Sequence, residues 1–265
     1  MPELAELRLT ADFINHSAEG MKFVNILKNP VHKGNSLERP FESFSITAES
    51  RGKELILTLH DRHSSEQRKL LMTMGMSGRF AYTNSDKEPK HSHLKFYTDD
   101  GTTLSFVDVR RFGKWKWTNC WSSNRGPDPT TEFEDFRRNI YDVGFSTSLF
   151  DQPIHAVLMN QKYFNGIGNY LRAEILYRTD VHPNTRARLA LLREPKIFDL
   201  CRDIPLQAYA LGGGQLKDWE NPFKNDPEPF RKFMRCYGNP TMKRVKDKNG
   251  RMFWYDPKWD TQEPF

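Results

Sequence analysis

The sequence predicts an α+β protein of two domains, and three observations carry that reading. Its 265 residues suffice for two separate hydrophobic cores. Residues 23–117 alternate short β-rich runs with turn residues, which reads as a β-sandwich or barrel. Beyond a Gly/Pro/Asp-rich stretch at 124–131 the apolar spacing becomes helical. The expected division is residues 1–124, a helix followed by a β-sandwich, and residues 132–265, a helical domain that ends in a β-hairpin.

Taken in chain order, Leu4, Leu7, Ala11 and Ile14 recur at helical spacing and predict a helix over about residues 2–17. Pro2 suits a first turn, and the acids Glu3 and Glu6 favour the positive end of the helix dipole. Runs at 45–47, 55–59, 70–74, 94–97 and 104–109 read as strands, separated by turn residues such as Asp99-Asp100-Gly101. Ile154, Val157 and Leu158 give one short amphipathic helix, and Leu171 with Ile175 gives another. Asn165-Gly166-Ile167-Gly168-Asn169 lies between them, and its two glycines permit a tight double turn. A helix is expected around 229–236, then strands at 242–246 and 251–255 flanking Asn249-Gly250, a strong two-residue hairpin signal. Residues 256–265 are expected to be loose.

Composition narrows the class. A hydrophobic share of 37% and a mean hydropathy of −0.75 leave no apolar run long enough to span a bilayer. The N-terminus is acidic where a secretion signal would be basic, so the protein is not expected to be secreted. Cys120, Cys201 and Cys236 are odd in number and widely spaced, which fits a reducing compartment rather than a disulfide framework. The net charge of +6 is concentrated: residues 231–251 hold eight Lys or Arg against Asp247 alone. Aromatic residues interleave with those cations, as on a phosphate-binding surface, although a solvated basic hairpin gives the same composition.

The N-terminal Pro-Glu carries chemistry. Removal of Met1, expected when proline follows, exposes a secondary amine beside a carboxyl group. An α-amino group is unprotonated near neutrality more often than a lysine, so it can attack an electrophilic carbon and form a Schiff base. Alone, the dipeptide is a common start for proteins of many kinds.

Further motifs accompany it. Met1-Pro2-Glu3 with Glu6, Arg51-Gly52-Lys53-Glu54-Leu55, Met74-Gly75-Met76-Ser77-Gly78, the run from Phe106-Val107-Asp108 through Arg110-Arg111-Phe112-Gly113, and the run from Phe164-Asn165-Gly166 through Arg172-Ala173-Glu174 occur in this order. Together they resemble the formamidopyrimidine-DNA glycosylase and endonuclease VIII family, over residues 2–255. The resemblance implies a catalytic N-terminal helix with a β-sandwich, and a helical domain with a helix-two-turn-helix unit and a β-hairpin finger. It implies a two-domain DNA glycosylase and abasic-site lyase of base excision repair, with DNA in a basic cleft.

On that resemblance Pro2 attacks C1′ of the damaged nucleotide, and Glu3 is the general acid/base. Glu6, one turn on, supports Glu3 or a bound water, and Lys53 binds phosphate and assists elimination. Met76, Arg110 and Phe112 fill the gap left by the flipped nucleotide, the guanidinium facing the orphaned base. For Met76 and Phe112, core packing is the competing reading. Asn169 caps the second helix of the unit and contacts DNA. His91 and His93 read equally well as phosphate contacts near the cleft or as a solvent-facing strand end.

Most members hold the finger with four cysteines on zinc. Here Cys236 is the only cysteine beyond position 201 and no histidine follows it, so no metal is expected. Arg235-Cys236-Tyr237-Gly238 and Asn249-Gly250-Arg251 instead resemble the zincless finger of the Nei-like branch, over about residues 229–255. Arg251 is then the finger-tip arginine that grips phosphates, with Arg231 and Tyr237 in support. The chain departs from the pattern at Leu4-Ala5, where Gly-Pro is usual, and in a shortened segment at 186–205. In the lesion-capping loop Leu211-Gly212-Gly213-Gly214-Gln215, Gly214 replaces a base-contacting cation.

The expected function is removal of oxidised pyrimidines and ring-opened purines, followed by β,δ-elimination without any cofactor. The partner is damaged DNA, duplex or single-stranded, and the protein is a monomer without membrane association. It is nuclear in a eukaryote and cytoplasmic otherwise. One alternative is a catalytically silent relative that binds damaged DNA. Another is a magnesium nuclease, which would want clustered carboxylates.

Overall fold

The structure is a computed structural model that describes residues 2–214 and 219–264. Helix α1 (Leu4–Ala18) begins two residues later than its apolar stripe suggests, because Glu3 is extended and serves as the N-cap. Pro2 therefore lies before the helix, outside the first turn. A reciprocal capping box closes this end: the Glu3 side chain accepts the Glu6 N–H, and Glu6 Oε2 accepts the Glu3 N–H at 2.8 Å.

Eight strands follow: β1 (Phe23–Lys28), β2 (Phe44–Arg51), β3 (Glu54–Asp61), β4 (Gln67–Thr73), β5 (Arg79–Asn84), β6 (Ser92–Thr98), β7 (Thr102–Val107) and β8 (Lys114–Trp117). They form one antiparallel sheet in the order β5-β7-β6-β1-β2-β3-β4-β8. The sheet folds on itself where β1 meets β2, since those strands share a single residue pair, Phe23 with Phe44, whose rings stack 5.8 Å apart. As a result β7 and β8, far apart in strand order, bring Phe106 and Trp115 into edge-to-face contact at 6.0 Å. This is the expected β-sandwich. Leu57, Leu70, Phe96 and Leu104 fill it, and Leu7, Ala11 and Ile14 of α1 join the same core.

Asn15 fastens α1 to the sheet. Its amide accepts the Ala48 N–H at 2.7 Å and donates to the Ala48 carbonyl at 3.0 Å, and so takes the place of a neighbouring strand. Asn15→Ala leaves both backbone groups without these partners, an expected loss of about 2 kcal/mol from two bonds of ~1 kcal/mol each, measurable by urea denaturation. A loss below about 0.5 kcal/mol would show that water replaces the clamp.

The helical part comprises α2 (Phe133–Arg138), α3 (Ile154–Val157), α4 (Asn169–Thr179), α5 (Ala187–Arg193), α6 (Lys196–Ala210) and α7 (Glu228–Phe233). Strands β9 (Lys243–Lys246) and β10 (Met252–Tyr255) form the terminal hairpin. Three sequence expectations change here. Helix α7 stops at Phe233 rather than 236, because the N–H groups of Arg235, Cys236 and Tyr237 all turn to the Glu174 carboxylate. Asn249-Gly250 is not a two-residue turn: Asp247 N–H bonds the Arg251 carbonyl at 2.8 Å across a three-residue loop, and Gly250 takes the positive φ of 73°. Residues 257–260 are not loose but form a 3-10 turn, with the Trp259 carbonyl accepting from His182 Nε2 at 3.1 Å.

The chain separates into two compact units. Residues 1–122 and 212–226 form the first, and residues 123–211 and 227–265 the second. Where one boundary was expected near 124–132, the chain crosses between units three times, because Gly212–Asp226 returns to the sandwich. Among the described residues no helix is long and apolar enough to cross a membrane.

Candidate functional site

In the first unit the chemistry expected from the sequence gathers at the start of α1. Pro2 is buried, Glu3 is 2% exposed and Glu6 fully buried. The Glu6 carboxylate is shared: Oε2 holds the Glu3 N–H, while Oε1 accepts the Gly214 N–H at 2.8 Å. Glu6 therefore ties the N-terminus to the glycine loop. Gly213 in that loop has φ of +69°, and a Cβ there would lie 2.8 Å from Leu9 Cδ1 and 3.0 Å from Glu6 Oε1, so only glycine fits. Gln215, the next residue of the expected lesion-capping loop, lies outside the described residues.

Lys53 occupies the tight turn between β2 and β3. Gly52 takes the positive φ of 57° at the first central position, as a type II′ turn requires, and Lys53 follows as the second, 9% exposed.

The three expected void-filling residues come from two neighbouring loops, and buried Asp108 organises them. Its carboxylate accepts from Ser77 Oγ, from the Arg110 N–H at 3.2 Å and from the Gly113 N–H at 2.7 Å. Gly75 lets the loops close, since a Cβ there would sit 2.7 Å from the Gly113 nitrogen and the Phe112 carbonyl carbon. On this frame Phe112 is 53% exposed, with the Arg110 guanidinium 5.0 Å above its ring. Met76 is half-buried beside them. His91 is half-buried with φ of 69° just before β6, while His93 is buried and its pKa is lowered, chiefly by burial.

The second unit positions the expected DNA-contact residues around α4. Gly166, at φ of 94°, makes the double turn, and Gln161 stitches it by accepting the Gly166 N–H and donating to the Ile167 carbonyl. The N-cap of α4 is Gly168, which corrects the expected cap at Asn169: Asn169 is the first helical residue, and its Oδ1 is buried without a hydrogen-bond partner. Arg231 lies exposed on α7 and pairs with Glu228 at 2.7 Å. Tyr237 is half-buried, its ring edge-on to Tyr170 at 6.2 Å. Arg251, at the hairpin tip, is exposed and borders an open cavity of about 520 Å³ together with Gln152, Met159, Asn160 and Asn249.

Three residues to which the sequence assigns no role organise this surface. Arg172 is fully buried and bonds Asp247 Oδ2 at 3.1 Å and the His155 carbonyl at 3.0 Å. Glu174 is fully buried and collects three successive N–H groups, Arg235 to Tyr237, together with the Arg178 guanidinium. Burial would raise the Asp247 pKa, but the Arg251 N–H and the Arg172 guanidinium hold it below the ordinary value. The neighbouring His155 imidazole is pushed down to about 4 by burial and by Arg172, and so stays neutral at physiological pH. One signal for Asp247 was present in the sequence, as the sole acid among eight cations. Among the described residues no three His, Cys, Asp or Glu side chains converge as metal ligands.

Comparison with known proteins bears on family and fold. Residues 1–115 match the formamidopyrimidine-DNA glycosylase N-terminal domain, and residues 226–258 match the DNA-binding domain of endonuclease VIII-like 1. Endonuclease 8-like 1 of Mus musculus is 37% identical over 96% of this chain and 72% of its own length, and that of Homo sapiens 35% over the same shares. Formamidopyrimidine-DNA glycosylase of Marinobacter nauticus is 29% identical over 97% of this chain and 99% of its own. In fold, the chain is similar to MutM (Fpg) of Thermus thermophilus, at a TM-score of 0.78 and 22% identity over 99% of this chain and all of the other. A Fpg in complex with N7-benzyl-Fapy-dG DNA gives a TM-score of 0.79 at 20% identity, over 98% of this chain and all of the other. With identity above 30% to relatives that it covers by more than two thirds, this chain belongs to the formamidopyrimidine-DNA glycosylase and endonuclease VIII family of DNA glycosylase/lyases.

Proposed function

We propose that this chain excises oxidised pyrimidines and ring-opened purines from DNA through an imine on Pro2, and then cleaves the strand by β,δ-elimination. The observation that carries the reading is the start of α1, where Pro2 and Glu3 sit adjacent and outside the helix, fixed by the Glu3–Glu6 capping box. Once Met1 is removed, Pro2 presents a secondary amine at the positive end of α1, where a second positive charge is disfavoured and the neutral nucleophile favoured.

The amine forms a bond to C1′ as the C1′–base bond breaks, and the base leaves with the pair of electrons and takes up the proton that the amine nitrogen releases. Glu3 supplies the proton that opens the sugar ring, which leaves a cationic imine at C1′. That imine acidifies the C2′ hydrogens. Loss of one expels the 3′ phosphate, and a second elimination expels the 5′ phosphate. Lys53 neutralises a phosphate during these steps, and Glu6 is a positioning residue that holds the Glu3 backbone. Met76, Arg110 and Phe112 occupy the space left by the flipped nucleotide. Asn169, Arg231, Tyr237, Arg251 and His91 contact the DNA backbone. The amine and the acid both belong to the chain, so the reaction needs no cofactor. The protein acts as a monomer, in the nucleus if its source is eukaryotic and in the cytoplasm otherwise.

Borohydride trapping in EDTA, on a duplex with one thymine glycol, tests this reading. Reduction converts the imine into a stable adduct, so the wild-type protein is expected to give a shifted protein–DNA band that Pro2→Gly reduces by about tenfold or more. Tight binding without an adduct, on this lesion and on an abasic site, would leave only a damage-binding relative.

A further inference from the structure

A two-stranded hairpin is marginal in water, and a small finger needs a staple. In this chain the staple is α4. Arg172 and Glu174 are two residues apart and so point roughly 200° apart around the helix. The finger grips α4 from both sides: Glu174 holds the N–H groups of residues 235–237, and Arg172 holds the hairpin.

We propose that the Arg172–Asp247 pair is the positioning device that aims Arg251 at its phosphate. The inference rests on the reading of Arg251 as a DNA contact. Asp247 uses its two carboxylate oxygens for different tasks. Oδ2 faces the buried Arg172 guanidinium at 3.1 Å, and Oδ1 accepts the N–H groups of Asn249 and Arg251, each at 2.9 Å. The Asp247 N–H also donates to the Arg251 carbonyl at 2.8 Å, so Asp247 holds Arg251 by both of its backbone groups. Arg172 is itself fixed by the His155 carbonyl at 3.0 Å and the Met252 carbonyl at 3.3 Å, with its guanidinium 4.9 Å over the Phe253 ring. The link from the fully buried Arg172 on α4 to the exposed tip thus includes the Asp247 carboxylate, whose side chain is 4% exposed, beside the direct bond to the Met252 carbonyl. It performs by ion pairing the orienting task that metal–thiolate bonds perform in a zinc finger.

The test is a double-mutant cycle on the full chain with Asp247→Ala, Arg251→Ala and the pair. Affinity for a duplex with a tetrahydrofuran abasic analogue is read by fluorescence anisotropy at several KCl concentrations. Each single variant is expected to weaken binding about tenfold and to lower the slope of log K against log salt by about one, since one phosphate is no longer neutralised. The double variant should bind no more weakly than Arg251→Ala alone. For Asp247→Ala alone, turnover at saturating DNA should stay within about twofold while KM rises. Asp247→Asn, which keeps an oxygen for the loop N–H groups, provides the same cycle if the alanine variant fails to fold. It should bind more weakly than the wild-type protein and lose nothing further in the Arg251→Ala background. Multiplicative losses in the double variant, or an unchanged salt slope for the Asp247 variants while Arg251→Ala lowers it, would overturn the positioning role. If Arg251→Ala itself changed neither affinity nor slope, the reading of Arg251 would fall, and this inference with it.

Discussion

Glu3→Gln is expected to slow base excision by about 10²–10⁴-fold, the range that general acid catalysis supplies. The substitution isolates chemistry from folding. A glutamine oxygen still accepts the Glu6 N–H, and the Glu3 backbone N–H still donates to Glu6 Oε2, so the capping box survives. What disappears is the proton that opens the sugar ring. Single-turnover excision of thymine glycol measures the rate, and a thermal midpoint unchanged within ~2 °C establishes that the fold is intact. A loss below about tenfold with the fold intact would remove Glu3 from the role of acid. On a preformed abasic site the base has already left, so the same variant should be impaired much less, and the ratio of the two rates assigns the step.

Arg172→Ala should have the largest effect on stability. It deletes the bonds to Asp247, His155 and Met252 and leaves the Asp247 carboxylate buried without its counter-charge, a change that typically costs ~3–5 kcal/mol. Because those bonds join α4 to the hairpin, the finger is expected to open locally before the rest of the second unit unfolds. Guanidinium denaturation followed by circular dichroism, with hydrogen exchange at residues 243–255, separates the two events. A destabilisation under about 1 kcal/mol would mean that the pair repays only its own desolvation. The pH dependence has a definite sign. Asp247 is held below its ordinary value of 3.8, so its stabilisation is complete above pH ~4 and is lost as pH falls through the lower, folded-state value.

These two residues mark what sequence can and cannot show. Five of the eight strands between Phe23 and Trp117 and the stripe of α1 were legible because alternation and helical spacing are local signals set by burial, whereas β1, β5 and β8 were not singled out. The family resemblance singled out Pro2, Glu3 and Lys53 because each lies in a short motif. Of three misjudged features, two had a distant cause and the third a side chain within the turn itself. Helix α7 ends early because of Glu174, the tip loop is wider than Asn249-Gly250 suggests because of Asp247, and the tail is ordered by His182. Glu6 was recognisable as a neighbour of Glu3, but its second partner, Gly214, is 208 positions away and left no trace in local pattern. The cap falls one residue before Asn169, since Gly168 meets the extended geometry of an N-cap without a side-chain bond.

The long-range bond from Glu6 to Gly214 also sets an order on biosynthesis. A chain emerging from the ribosome presents α1 and the sandwich first, and domains commonly fold as they emerge. Here the Glu6 carboxylate waits for Gly214, so α1 acquires its last support only after the whole of residues 123–211 has been made. Closing so large a loop is slow, because its entropy is lost before any contact compensates. A nascent or truncated chain ending before 212 lacks that support. On the proposed reading, a chain that already carries Pro2 and Glu3 gains the full support of α1 only once residue 214 has been made.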